Sequence, residues 1–90
     1  RIKIDLSAKE LRVDNIPVPL TKSEYLICEY LASNKGQVFS KEQIYEATFS
    51  IYGESDSSTI STHIKNIRSK FEKTGVQPIV TVWGIGYRWE

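Results

Sequence analysis

The chain has 90 residues, of which 40% are hydrophobic, 11% aromatic and 26% charged. This composition is typical of one small folded domain spanning 1–90, and it excludes a disordered or collagen-like chain. No apolar run approaches the roughly 20 residues that span a bilayer. Cys28 is the one cysteine and His63 the one histidine, so an internal disulfide and a tetrahedral zinc site of such ligands are excluded. We expect a cytoplasmic domain without metal or cofactor. Because the chain begins at Arg1 without a methionine or signal peptide, we expect a fragment that lacks an upstream domain.

Positive charge is concentrated in the C-terminal third. The net charge of +1 divides into −2 for residues 1–57 and +3 for residues 58–90, and no acidic residue lies between positions 57 and 71. A basic segment on a neutral body favours an anionic partner for that segment. The alternative is a helix face that is simply solvated.

Alternating apolar and polar residues predict three strands at the N-terminus. The apolar positions are Ile2, Ile4 and Leu6; Leu11 and Val13; and Ile16, Val18 and Leu20. Pro17 and Pro19 lie in the outward phase of the third run, and proline cannot donate a ladder hydrogen bond. We therefore expect an antiparallel meander whose third strand is short or at an edge.

Two capping-box sequences, at residues 21–24 and 40–43, predict two helices. Each is followed by a one-sided apolar stripe: Leu26, Ile27, Tyr30 and Leu31 in the first helix, and Ile44, Tyr45, Thr48 and Phe49 in the second. Asn34 to Gly36 ends the first helix, and a short extended stretch follows at 37–39. Cys28 is expected in the core.

A polar loop at residues 50–57 precedes a third predicted helix, 58–73, which Asp56 or Ser57 can cap. Its apolar positions are spaced by 4, 3 and 4 residues: Ile60, Ile64, Ile67 and Phe71. Gly75 ends the helix. Residues 79–89 are rich in β-branched and aromatic types and predict a hairpin that reverses at Gly84 and Gly86.

The outer face of the third helix carries residue types suited to nucleic acid. Opposite the apolar stripe lie Thr62, Lys65, Asn66, Ser69 and Lys73, flanked by His63, Arg68 and Lys70. Short polar side chains can read base edges, whereas lysine and arginine meet phosphates or guanine. Two capped helices, a basic third helix and a terminal hairpin together indicate a helix-turn-helix with a wing.

Four stretches resemble the C-terminal effector domain of OmpR/PhoB-type response regulators: 20–25, 38–44, 63–71 and 81–89. The last, with Gly84 and Gly86 followed by a Tyr-Arg-aromatic sequence, is the most specific. The resemblance implies an α+β winged helix-turn-helix with an N-terminal antiparallel β meander, three helices and a C-terminal hairpin wing. It also implies sequence-specific binding of double-stranded promoter DNA in a two-component phosphorelay that controls transcription.

The resemblance further implies partners. A missing receiver domain would be phosphorylated by a sensor histidine kinase, the effector domain would bind DNA as a tandem dimer, and the 49–57 loop would face RNA polymerase. That transactivation loop includes Ser50, Tyr52, Gly53 and Glu54.

Site roles follow from the resemblance residue by residue. Helix 58–73 would lie in the major groove, with Thr62, Lys65 and Asn66 at the bases and the hairpin 79–89 as the wing. The phosphate contacts would be Ser58, Thr59, His63, Arg68, Ser69, Lys70 and Thr81. The wing residues would be Trp83, Gly84 and Arg88. His63 has the alternative of a partly buried helix histidine.

This chain departs from the family pattern at two positions. Trp83 stands where arginine is frequent, so the wing would contact the sugar-phosphate edge, or Trp83 would pack against the domain or a second protomer. Ser61 replaces a frequent aspartate, which weakens any inference about cytosine reading. An amide at Asn66 favours adenine.

Two other classes of function are weighed against DNA binding. A winged helix can serve as a protein-interaction module, which would show far less salt dependence than a DNA interface. An enzyme is disfavoured, because the chain shows no paired carboxylates, metal ligands or nucleophile with its base.

Overall fold

The chain begins with a three-stranded antiparallel sheet in the computed structural model, which describes residues 1–49 and 56–90. The strands are β1 (Ile2–Asp5), β2 (Glu10–Val13) and β3 (Ile16–Pro17), in the order β1-β2-β3. This confirms the predicted meander and its short third strand at the edge.

Two apolar residues of this region are not buried as the alternation predicted. Leu6 is 60% exposed, because β1 ends at Asp5, whose carboxylate accepts hydrogen bonds from the main-chain nitrogens of Ser7 and Ala8 at 3.0 Å and starts a turn. Ile16 is 69% exposed because it lies on a two-residue edge strand with solvent on its outer side. The inward positions of the sheet are instead filled from β2.

Two helices follow, α1 (Lys22–Ser33) and α2 (Lys41–Thr48), each begun by the predicted capping box. At α2 the main-chain nitrogen of Gln43 donates to Ser40 Oγ at 3.1 Å, and that of Ser40 donates to Gln43 Oε1 at 2.8 Å. Gly36, with φ of 89°, takes the left-handed conformation predicted after α1. Strand β4 (Val38–Phe39) connects the two helices and confirms the predicted extended stretch.

The third helix, α3 (Thr59–Glu72), lies within the predicted 58–73. Its N-cap is Ser58, so the prediction that Asp56 or Ser57 occupies this position was wrong. Asp56 still contributes from two residues further out, because its carboxylate accepts a hydrogen bond from the main-chain nitrogen of Ser58 at 2.8 Å. The helix is followed by Gly75, whose φ is 78°.

A second antiparallel sheet closes the domain. Strands β5 (Ile79–Val82) and β6 (Gly86–Trp89) form the predicted hairpin, and β4 pairs with β6, which gives the order β4-β6-β5. The turn is closed by a hydrogen bond of 3.0 Å from the nitrogen of Ile85 to the oxygen of Val82. Gly84 has φ of 80°, which favours glycine at this turn.

Gly86 has a different role from the predicted reversal of the chain. It is the first residue of β6, and a Cβ built on it would lie 2.0 Å from the carbonyl oxygen of Phe39. Only glycine allows β6 to approach the end of β4 this closely. The resulting contact ties the wing to the connection between α1 and α2.

The core lies between the three helices and the two sheets. The four apolar positions of α3 are at most 1% exposed, and Phe71 meets Trp89 edge-on at 6.3 Å between ring centroids. Cys28 is buried among these residues as predicted. Within residues 1–49 and 56–90, the helices are too short or too polar to cross a bilayer.

Candidate nucleic-acid interface

The outer face of α3 is exposed along its whole length. Its five predicted residues are all exposed: Thr62, Lys65, Asn66, Ser69 and Lys73. At the rise per residue of an α-helix, the face is about 16 Å long from Thr62 to Lys73. This length is of the same order as the width of a major groove, which is roughly 12 Å. In the described part of the chain, these side chains make no hydrogen bond or ion pair. The face therefore offers two lysines and three short polar groups to a partner.

Arg68 links α3 to the wing. Its guanidinium donates to Thr81 Oγ1 at 2.6 Å and to the carbonyl oxygen of Ile79 at 3.1 Å, and it lies 5.7 Å from the ring centroid of Tyr87. Arg68 and Thr81, both predicted to contact phosphates, thus contact each other. The side chain of Arg68 therefore joins α3 to both strands of the hairpin.

Lys70 lies on the other flank of α3 and is engaged by α1. Its ammonium group is 2.5 Å from the carboxylate of Glu24, whose side chain is 4% exposed. The same carboxylate accepts a hydrogen bond from the main-chain nitrogen of Thr21 at 2.9 Å. Burial by itself would raise the pKa of Glu24, but the hydrogen bonds from Lys70 and Thr21 and the charge of Lys70 lower it below its ordinary value.

The sequence identified Glu24 only as a capping residue of α1 and not as the partner of Lys70. The capping box gave it a local partner at position 21, whereas Lys70 is 46 residues away. No local pattern in the sequence signals such a pair. The ion pair fixes the last turn of α3 against the first turn of α1.

The flanking residues at the start of α3 are partly covered. His63 is half-buried, and its ring lies 5.5 Å from that of Phe49 in a tilted arrangement. Thr59 is half-buried and donates to the carbonyl oxygen of Asp56 at 3.0 Å. The hydroxyl of Ser58 also donates to the carboxylate of Asp56. Each of these groups therefore has a local contact that orients it at the N-terminal end of the helix.

The wing exposes its tip and turns Arg88 away from α3. Trp83 is 89% exposed, so the expectation that it could pack against its own domain was wrong. Arg88 is paired across the sheet with Val38 and Val80, and it bonds Glu90 at 3.3 Å. Because side chains alternate along a strand, Arg88 lies on the face opposite Tyr87, which contacts Arg68.

The predicted transactivation residues lie outside the described residues: Ser50, Tyr52, Gly53 and Glu54.

Three helices with an exposed polar and basic third helix, joined to a β-hairpin by an arginine, define a winged helix-turn-helix. The family whose model matches residues 15–89 is described as "Transcriptional regulatory protein, C terminal". The transcriptional regulatory protein SpaR of Bacillus subtilis is 48% identical over 83 residues, which cover 92% of this chain and 38% of SpaR. The nisin biosynthesis regulatory protein NisR of Lactococcus lactis subsp. lactis is 37% identical over 84 residues, covering 93% of this chain and 37% of NisR.

A solved structure of similar fold is the DNA-binding domain of the response regulator AdeR in complex with an intercistronic region. It has a TM-score of 0.86 at 26% identity and covers 99% of this chain and 92% of that one. The chain belongs to the family of C-terminal domains of transcriptional regulatory proteins, of the OmpR/PhoB response-regulator type. This is a family of transcription regulators rather than a class of enzymes. The chain spans less than two fifths of the length of the curated relatives named above.

Proposed function

We propose that this chain binds double-stranded DNA sequence-specifically, as the effector domain of a two-component response regulator that controls transcription. The observation that carries the proposal is the outer face of α3, an exposed and un-neutralised row of polar and basic side chains beside a hairpin held by Arg68. An exposed basic helix face of this kind meets the phosphates and base edges of a major groove. The DNA complex of the AdeR domain, which shares the fold, supports the same role here.

In the proposed complex α3 occupies the major groove and the hairpin 79–89 acts as the wing. Thr62, Lys65 and Asn66 contact bases, and the amide of Asn66 favours adenine. The proposed phosphate contacts are Ser58, Thr59, His63, Arg68, Ser69, Lys70 and Thr81. Gly84 shapes the wing turn that carries Trp83. Arg88 is the third proposed wing residue, and its side chain lies on the face of the hairpin opposite Tyr87.

The remaining partners of the proposed system lie outside this chain. A receiver domain phosphorylated by a sensor histidine kinase would control the effector domain in the cytoplasm. Two effector domains would bind adjacent half-sites as a tandem dimer, and the 49–57 loop would contact RNA polymerase. The names of the relatives as regulatory proteins, and their greater length, support this arrangement.

Fluorescence anisotropy with duplexes selected from a random pool, measured at several salt concentrations, tests the proposal. Lys65→Ala removes one cation from the outer face of α3, so it should weaken binding to all duplexes and reduce the salt slope by about 0.9. Asn66→Ala should cost about 1 to 3 kcal/mol, mainly on the selected site. Lys3→Ala removes an exposed lysine of β1 and is the matched control, with affinity unchanged.

The competing function is a protein-interaction module. It would leave binding to duplex DNA weak and non-selective at every salt concentration, and both α3 substitutions would then have no effect on DNA. Selection of a repeated half-site with a steep salt dependence excludes that alternative.

A further inference from the structure

The last turn of α3 carries an acidic residue on the side of the helix that faces the hairpin. Glu72 is exposed, and it is the one acidic residue in the sequence of α3. At 100° per residue it lies about 20° around the helix from Lys65 and about 10 Å further along the axis. Both residues line the groove between α3 and β6, together with Arg68 and Tyr87. A negative charge therefore follows, in one row, two cations that are proposed to contact DNA.

This carboxylate is not neutralised by its neighbours. Arg68 lies four residues earlier, a spacing at which oppositely charged side chains on a helix meet. Its guanidinium instead donates to Thr81 Oγ1 and to the carbonyl oxygen of Ile79. Within residues 1–49 and 56–90, the side chain of Glu72 makes no hydrogen bond or ion pair. Its full charge thus acts on whatever approaches the groove.

The stability of α3 does not account for an acidic residue at this position. The C-terminal end of a helix carries the negative end of its dipole, so a carboxylate in the last turn is unfavourable and a lysine or arginine is favoured. Glu72 is the last residue of α3. It also contributes nothing to the core, because it is exposed. The remaining role for this charge is an outward one, toward a partner that occupies the groove.

A phosphate bound at Arg68 would lie within reach of the carboxylate. Four residues of helix separate Arg68 from Glu72, which corresponds to about 6 Å along the axis. The Debye length at physiological ionic strength is about 8 Å, so salt only partly screens repulsion over this distance. The repulsion is weakest where DNA passes Lys65 and Arg68 without reaching the last turn of α3. Any seating of the helix that brings the DNA backbone onto Glu72 is disfavoured.

Building on the proposed DNA binding, we propose that Glu72 is a specificity-determining residue that restricts how α3 is seated on DNA. On a selected site, the base contacts of Lys65 and Asn66 hold α3 in one seating. On other sequences, attraction to phosphates decides the seating, and Glu72 opposes every seating that places the last turn of α3 on the DNA backbone. The carboxylate therefore lowers the affinity for unselected DNA more than the affinity for the selected site.

Anisotropy titrations test this role by comparing a duplex that carries one selected half-site with a random-sequence duplex, each at several salt concentrations. Glu72→Gln removes the charge and keeps the size of the side chain. The affinity for the random duplex should rise roughly threefold at low salt, because repulsion from the nearest phosphates is lost. The affinity for the selected half-site should rise by less than about twofold. Both gains should disappear as the salt concentration is raised.

Two further variants determine whether the effect belongs to the charge at this position. Glu72→Asp keeps the negative charge and should bind both duplexes as the original chain does. Glu10→Gln removes one negative charge from β2, in the N-terminal sheet. It is the matched control for the net charge of the domain, and it should leave both affinities unchanged.

Unchanged affinity of Glu72→Gln for the random duplex would overturn this inference, as would an equal rise on both duplexes or an equal rise with Glu10→Gln. A loss of affinity for the selected half-site with Glu72→Gln would also overturn it and would assign the carboxylate to a base, as an acceptor from cytosine. In each of these cases Lys65→Ala would still weaken binding to both duplexes. Absence of duplex binding by the original chain at low salt would reject the proposed function together with this inference.

Discussion

The ion pair between Lys70 and Glu24 makes a quantitative prediction about stability. Lys70→Met retains most of the aliphatic volume of the side chain but leaves the carboxylate of Glu24, which is 4% exposed, without its partner. Breaking a fully buried pair costs about 3 to 5 kcal/mol. Because the Lys70 side chain is 29% exposed, solvent screening reduces the expected loss to about 2 to 3 kcal/mol.

Urea denaturation monitored by circular dichroism measures this loss in the free energy of unfolding. Two further variants calibrate it. Lys73→Met changes an exposed lysine one turn away and should alter the free energy of unfolding by less than about 0.5 kcal/mol. Glu24→Gln combined with Lys70→Met removes both charges and should recover most of the loss, since the amide can still accept from Thr21. Equal effects of Lys70→Met and Lys73→Met would refute the reasoning.

The pH dependence of the same variant gives an independent check. In the original chain the pKa of Glu24 is lowered from its ordinary value of 4.5, so the pair contributes stability above that pH, and the contribution is lost as the pH falls through the lowered value. In Lys70→Met the hydrogen bond and the charge of Lys70 are removed, while burial and the hydrogen bond from Thr21 remain, so the pKa of Glu24 should rise relative to the original chain. The difference in stability between the two proteins should therefore shrink between pH 7 and pH 4, and a constant difference would contradict the assignment.

Three further substitutions or treatments test other parts of the fold. Gly86→Ala places a methyl group against the Phe39 carbonyl and should destabilise the domain by about 3 kcal/mol or more in urea; a tolerated alanine would contradict the close approach. Burial raises the pKa of the Cys28 thiol to about 12, so a thiol reagent at pH 8 should react only after unfolding, and rapid labelling of the folded chain would show the site is open. Ser40→Ala should cost about 1 kcal/mol by removing the acceptor for Gln43, and an unchanged urea midpoint would argue against the cap.

Features encoded within a few residues were predicted correctly from the sequence. The capping boxes begin α1 and α2 at the predicted positions because each hydrogen bond joins residues three apart. The apolar stripe of α3 and its polar outer face follow from helical periodicity in the same way. The order of elements followed from the same local patterns, and the structure confirms it.

Features that depend on distant parts of the chain were missed. The contact of Gly86 with Phe39 and the ion pair between Glu24 and Lys70 each join elements far apart in sequence. Their residue types fitted simpler local roles, a turn glycine and a helix cap. Ile16 was misassigned because alternation identifies a face of a strand but not whether another element covers it.

The place of β6 in the second sheet has a consequence for how the domain forms. β6 is the central strand, bonded to β4 on one side and β5 on the other, and it contributes Trp89 to the core. Among the nine helices and strands of the described chain, β6 is also the last to be synthesised. A ribosome therefore exposes α1, α2 and α3 before the strand that joins them to the wing exists, and we expect cooperative folding only once residue 89 has emerged.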